Sequence, residues 1–368
     1  MRVRVVVSIA LLSCLAFGAC SSSSPPSGPK FTGRVLLLTG TGADGADLVE
    51  LSAAPNGSGY NLSTLTKGVF EGAPNLDQTE LVFATRNEVA LRDLRTNAVK
   101  SLIKGPGFCL AWAPDGKHFS YAQKEGDAGG KLYVSDLEGK TKLVADNAAA
   151  SYEKGSSSAG EGSATESYCA QWIAPDRLVF DRFLGALPKD KKGAEALKPN
   201  TTTIATVGDT VKLHDVQRKW SIESVCPKSN TAFVRPPDES QILIARNIDH
   251  FETIDPSPGP CSACRFVGYA AQSCVPFFIE QQTSTATDLF SLNPTNWQKQ
   301  RPASISQTFS LNAKMLIKSS ARLMIVGDAP STLLLIDTES GEIVPFFPKS
   351  ASGQQALTSP VPVVWIEK

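Results

Sequence analysis

The chain has 368 residues with 36 basic and 36 acidic side chains; its formal net charge is zero, and nothing in that balance favours a nucleic-acid partner or an anionic surface. At 42% apolar and 20% charged it has a globular composition, long enough for one large repeat array or two compact domains. Histidine is confined to His118, His214 and His250, which thins the supply of general bases and nitrogen ligands.

The first 19 residues have the three parts of a secretory leader: Arg2 and Arg4, an apolar run from Val5 to Phe17, and the small pair Gly18-Ala19 before Cys20. That run is too short to span a bilayer comfortably. Phe17-Gly18-Ala19-Cys20 followed by SSSSPPSGP resembles a bacterial lipoprotein signal, although Phe17 stands where Leu is usual. The resemblance implies cleavage before Cys20, acylation of Cys20, and, with Ser21 in second place, the outer membrane of a Gram-negative cell. Residues 20–30 then form a Ser/Pro-rich tether. The alternative is ordinary cleavage after Gly18 or Ala19, giving a soluble exported protein.

From Phe31 onward the chain reads as short strands. Cys109 to Ala145 is the clearest stretch: Leu110 to Trp112, then Pro114-Asp115-Gly116, then His118 to Gln123, Leu132 to Ser135 and Lys142 to Ala145. Pro presets φ, Asp offers a side-chain acceptor and Gly takes positive φ, so these runs predict a four-stranded antiparallel meander the size of one propeller blade. The end of the third strand serves as a phase mark, where an apolar alternating run stops at a small polar residue: Ser52, Asp93, Asp136, Asp215, Asp255, Asn293 and Asp337. The spacing stays near 40 residues except between Asp136 and Asp215, where two stretches read as inserted loops, 146–166 and 184–200. The first unit lacks a strand, and Val361 to Lys368 has no unit of its own. The expectation is therefore an all-β propeller over 31–368, of seven four-stranded blades with six as the alternative, closed by pairing of the C-terminal strand with the N-terminal blade.

The Asp and Asn marks are read as turn formers rather than a ring of ligands, because they recur in every repeat. Trp112, Trp172 and Trp365 are read as packing between blades. Six cysteines remain outside the leader and the lipid site: Cys109, Cys169, Cys226, Cys261, Cys264 and Cys274. An even number in an exported chain predicts disulfides. Cys261-Ser-Ala-Cys264 lacks the second ligand pair of a zinc site and the βαβ surroundings of a redox motif, so it too reads as structural. Cys109 and Cys169 stand in matching places before Trp112 and Trp172; the expectation is that they face each other, together with Cys226 as a third candidate. Full oxidation requires one bridge between the 261–274 loop and this group.

The run AWAPDG followed by a strand and LYVSDLEGKTKLV resembles the WD40-like repeat of TolB-type propellers, best over Trp112 to Val144. Blades five and six lack the Trp, two loops are enlarged and a strand begins directly after Phe31, so membership in the Tol envelope complex is not implied; a lipoprotein propeller of related repeat is. Catalytic signatures such as GxSxG, HExxH, phosphate loops and EF-hand spacing are absent from the sequence. The first functional expectation is a monomeric, non-catalytic binding or scaffolding module of the cell envelope, held to the membrane through Cys20, without a cofactor, and contacting a protein or glycan. The second is a hydrolase or lactonase with a metal in the central channel, for which Glu71, Asp77, Asp115 and Asp176 are the nearest acids.

Overall fold

The computed structural model describes residues 32–42, 44–53, 60–125, 129–149, 169–182, 201–217, 221–226, 230–235, 243–246, 248, 257–258, 264–270, 274–283, 286–293, 296–305, 314–317, 323–328, 332–346, 357 and 360–366. The leader, Cys20, the tether, Asp255 and Cys261 lie outside them. Among the described residues there is no α-helix, and none long and apolar enough to cross a membrane.

Strands β1 (Arg34–Gly42), β2 (Gly45–Ala53), β3 (Tyr60–Pro74), β4 (Glu80–Thr85), β5 (Glu88–Asp93) and β6 (Val99–Lys104) pair antiparallel in sequence order. β7 (Phe108–Trp112), β8 (His118–Glu125), β9 (Gly129–Asp136) and β10 (Thr141–Ala149) form the next meander, followed by β11 (Gln171–Ala174), β12 (Arg177–Arg182), β13 (Thr201–Val207) and β14 (Val211–Gln217). Three separate four-stranded sheets come after them. They are β15 (Ser221–Cys226) to β18 (Ser257–Pro258), β19 (Cys264–Tyr269) to β22 (Lys299–Ile305), and β23 (Lys314–Ile317) to β26 (Ile343–Phe346). The last strand, β27 (Val361–Ile366), returns to the beginning of the chain and pairs with β1, Arg34 opposite Ile366 and Leu38 opposite Val361.

The early meanders are joined rather than separate. The 15-residue β3 pairs with β2 through its first part and with β4 through its last, so seven strands share one sheet. Likewise β10 reaches β12 at Ala148 opposite Arg182, which links eight strands. No one of the five sheets closes on itself.

Alternation along each strand explains the packing, because successive side chains of a strand point to opposite faces. In β1, Val35 and Leu37 join one apolar cluster while Leu36 and Leu38 join another. In β4, Leu81 and Phe83 pack back onto β1 and β2, whereas Val82 and Ala84 pack forward onto Leu110, Phe119 and Tyr121. The same division recurs in β12, with Leu178 and Phe180 on one side and Val179 on the other. Both faces of these strands are buried, so they read as continuous apolar runs. The first strand of each meander lies against that of the next: β3, β7, β11, β15, β19, β23 and β27 follow one another, and β27 also lies against β3.

One phase mark needs correction. Asp215 does not end a third strand; it lies within β14, the fourth, and Thr206 takes the register place opposite the first residue of β12. In the following meander the third strand is β17 (Leu243–Arg246), with β18 as the fourth; Asp255 lies outside the described residues. The cause is the stretch between β12 and β13. It separates second from third strand, and the Thr-rich TTTIATV carries too little apolar alternation to read as the third, so the sequence pattern runs one strand late until Cys264. The start of the first predicted insertion is also corrected, since residues 146–149 belong to β10.

Candidate functional site

Each meander has an upper end, where its first strand begins, and a lower end, where that strand finishes. At the upper end Cys109 adopts a left-handed backbone conformation, φ 55°. Its amide and that of Leu110 both donate to the Glu71 carboxylate on β3, at 2.7 and 3.0 Å. Cys109 is also joined by a disulfide to Cys169, with a Cα separation of 5.1 Å, and packs with Phe108 and Ala122. Charge-assisted bonds to amides are stronger than neutral ones, so Glu71 acts as a clamp between neighbouring first strands.

The other three acids weighed for a channel metal lie elsewhere. Asp77, Asp115 and Asp176 stand in lower-end turns between first and second strands. Asp77 accepts from the Thr79 hydroxyl at 2.8 Å. Asp115 accepts the amides of Lys117 and His118 at 2.8 and 3.3 Å, and its second oxygen lies 2.9 Å from His118 Nδ1. Asp176 is exposed, and its carbonyl accepts the Val207 amide. The structure therefore does not bring the four together. Among the described residues, no three His, Cys, Asp or Glu side chains are grouped to hold a metal ion.

The marks at third-strand ends form turns, as their chemistry predicts. Asp93 accepts the amides of Arg95 and Thr96 at 2.8 and 2.7 Å, Asp136 those of Glu138 and Lys140 at 2.9 Å, and Asp337 those of Glu339 and Ser340 at 2.9 and 3.2 Å. The Thr96 amide in particular holds the Asp93 carboxyl below the usual range. Each of these turns, and that of Asn293, contains a residue at positive φ: Asn97, Gly139, Trp297 and Gly341. Gly139 has a reason beyond φ, since a Cβ there would sit 2.6 Å from the Leu102 carbonyl oxygen. Ser52 holds the corresponding register place opposite Arg34.

The three tryptophans span junctions. Trp112 Nε1 donates to the Ala73 carbonyl of β3 at 2.8 Å, and Trp172 Nε1 to the Ala111 carbonyl of β7 at 3.1 Å and to Ser120 Oγ at 3.2 Å. Trp365 donates to the Thr32 carbonyl at 2.9 Å and packs with Val35, Leu37, Ile325, Leu333 and Leu335. Cys226 and Cys274 are bridged, with Cα atoms 6.1 Å apart, which ties the 261–274 region to β15 at the lower end. Cys264 is also disulfide-bonded. Disulfides of this kind belong to oxidising compartments such as the periplasm.

One set of lower-end contacts escaped sequence reading. Arg34 donates to the Leu94 carbonyl, Lys100 to the Leu137 carbonyl at 2.9 Å, and Lys142 to the Gly208 and Asp209 carbonyls. In each case a cation from one meander satisfies a carbonyl in the third-to-fourth-strand turn of the next. A lysine beside an apolar residue on an outer strand, as in Val99-Lys100 and Lys142-Leu143, was the available signal, but it looks the same as a solvated edge.

Asp215, displaced from its expected role, makes a local polar knot. It pairs with Arg182, whose Nε is 3.1 Å away, and accepts the Thr203 hydroxyl at 2.6 Å. Burial raises its pKa, yet the bonds from Arg182 and Thr203 outweigh this and hold it below the ordinary carboxylate value. A depressed acid stabilises the fold above its unfolded pKa, about 3.9, and loses that contribution as pH falls through the folded value. Asp215→Asn is therefore expected to melt below the wild type at pH 7, with the gap closing as the pH drops below about 4. An equal gap at pH 7 and pH 3 in thermal scans contradicts the assignment.

No protein-family model and no curated protein sequence matches the chain. Solved structures do. The periplasmic gluconolactonase PpgL of Pseudomonas aeruginosa aligns over 90% of this chain and 99% of its own, with a TM-score of 0.52 at 10% identity. An oligogalacturonate lyase in complex with manganese aligns over 85% of each chain, with a TM-score of 0.51 at 12% identity. TolB from Acinetobacter baumannii gives a TM-score of 0.47 at 11% identity, over 91% of this chain and 67% of its own. Identities this low speak for the fold alone, which is all-β and of the propeller type.

Proposed function

We propose that this chain is a non-catalytic binding or scaffolding propeller of the cell envelope, anchored by a lipid on Cys20 and contacting a protein or glycan partner as a monomer. Its meanders are seven four-stranded blades in a closed ring, with β27 as the first strand of the blade that β1 to β3 complete. Support for the ring comes from the unbroken succession of first strands from β3 round to β27 and back. The observation that carries the non-catalytic reading is the commitment of Glu71, the one upper-end acid among the candidates, to two backbone amides. A carboxylate holding two amides of a neighbouring strand is a structural clamp, and the remaining candidate acids are distributed over separate turns.

A second reading, a hydrolase or lactonase with a channel metal, draws on the names of two proteins of similar fold, a gluconolactonase and a manganese-bound lyase. Thermal melts of the full chain with Mn²⁺, with Ca²⁺ and with EDTA separate the two. A bound channel metal stabilises by about 2.7 kcal/mol at a hundredfold excess over its Kd, enough to move the melting temperature by several degrees. The binding reading expects identical melts in all three; a metal-dependent rise that EDTA abolishes overturns it.

A further inference from the structure

We infer that the lower end of the propeller faces the lipid bilayer; this rests on the anchored propeller proposed above. The chain enters the fold at the lower end. Trp365 Nε1 fixes the Thr32 carbonyl at 2.9 Å, and Arg34 is held by Glu50 at 2.9 Å, by the Leu94 carbonyl and by pairing with Ser52 and Ile366. Thr32 cannot swing to the other end without breaking these contacts.

The connection from Cys20 to Thr32 reaches at most about 40 Å when fully extended and about 20 Å as a flexible coil. A six-residue strand such as β5 is itself about 20 Å tall. In an inverted molecule the height of the sheet uses up the coil length of the tether, whereas the lower-end turns of Asp93, Asp115, Asp136 and Asp337 lie at the level where the tether starts.

The test uses the full lipidated chain in vesicles of phosphatidylethanolamine and phosphatidylglycerol carrying an acceptor dye on a headgroup. Acylated Cys20 and bridged cysteines leave one introduced thiol for a donor dye, in Arg95→Cys or Asn87→Cys. Both residues are exposed, and they flank opposite ends of β5, Arg95 below and Asn87 above. Donor quenching is expected to be stronger from 95 than from 87, with both variants melting as the wild type does. Equal quenching, or the reverse order, overturns the orientation. Mass spectrometry of membrane-extracted protein reports separately on the anchor: Cys20 without acyl chains removes the anchor and the orientation together, whereas acylated Cys20 with equal quenching removes only the orientation.

Discussion

Trp365→Ala is expected to lower the unfolding free energy by about 3–5 kcal/mol, the range for removing a large aromatic from a close-packed core. The indole is completely buried. It packs among Val35 and Leu37 of β1, Ile325 of β24 (Leu323–Asp328), and Leu333 and Leu335 of β25 (Thr332–Asp337), so one side chain joins the first strands of the chain to the last. Truncation opens a cavity on that junction and leaves the Thr32 carbonyl without its donor. A total stability of about 5–15 kcal/mol is usual for a folded domain, so this is a large share. Urea unfolding of Trp365→Ala beside Trp112→Ala checks the assignment: Trp112 is only half-buried and bridges an internal junction, and its loss is expected to cost less. A Trp365→Ala loss below about 1 kcal/mol would mean the two chain ends contribute little to each other.

The second large effect is expected from Cys109→Ser/Cys169→Ser. Cysteines 60 residues apart close a loop whose constraint on the unfolded chain amounts to about 4 kcal/mol in the chain-entropy estimate. For Cys226 and Cys274 the separation is 48. Because loop entropy grows only with the logarithm of length, the two bridges differ by about 0.2 kcal/mol on this ground. Any larger difference between the two Ser/Ser variants, measured by urea unfolding under identical conditions, therefore reports on the native state. The Glu71 bonds and Trp172 hold the Cys109 junction independently, so Cys109→Ser/Cys169→Ser is expected to fold with native-like near-UV circular dichroism despite its lower midpoint. A variant that fails to fold would mean the bridge, and not the clamp, defines that junction.

Asp93, Asp136 and Asp337 are legible because a carboxylate accepting amides two to four residues ahead is local chemistry, written within one turn. Asp215 looks like a third-strand end for the same reason: VKLHD has the same alternating look, and only pairing of Thr206 with Arg177 reveals that the third strand has already passed. Glu71 reads as an acid but not as a clamp, since its partners stand 38 and 39 residues downstream. Arg34, Lys100 and Lys142 were invisible as contacts because a cation reaching a carbonyl of the next meander has no spacing signature.

What the amino-acid sequence by itself determined was the all-β character, the four-strand repeat of about 40 residues, the turn residues and the pairing of Val361–Ile366 with the first strand, because strand alternation, turn chemistry and an unmatched strand are properties of short segments. Only the tertiary structure decided which cysteines meet, which strand Asp215 belongs to, where the acids are held and at which end the chain enters. Those depend on neighbours brought together from distant parts of the chain, and a period measured along the sequence contains no information about which faces will touch.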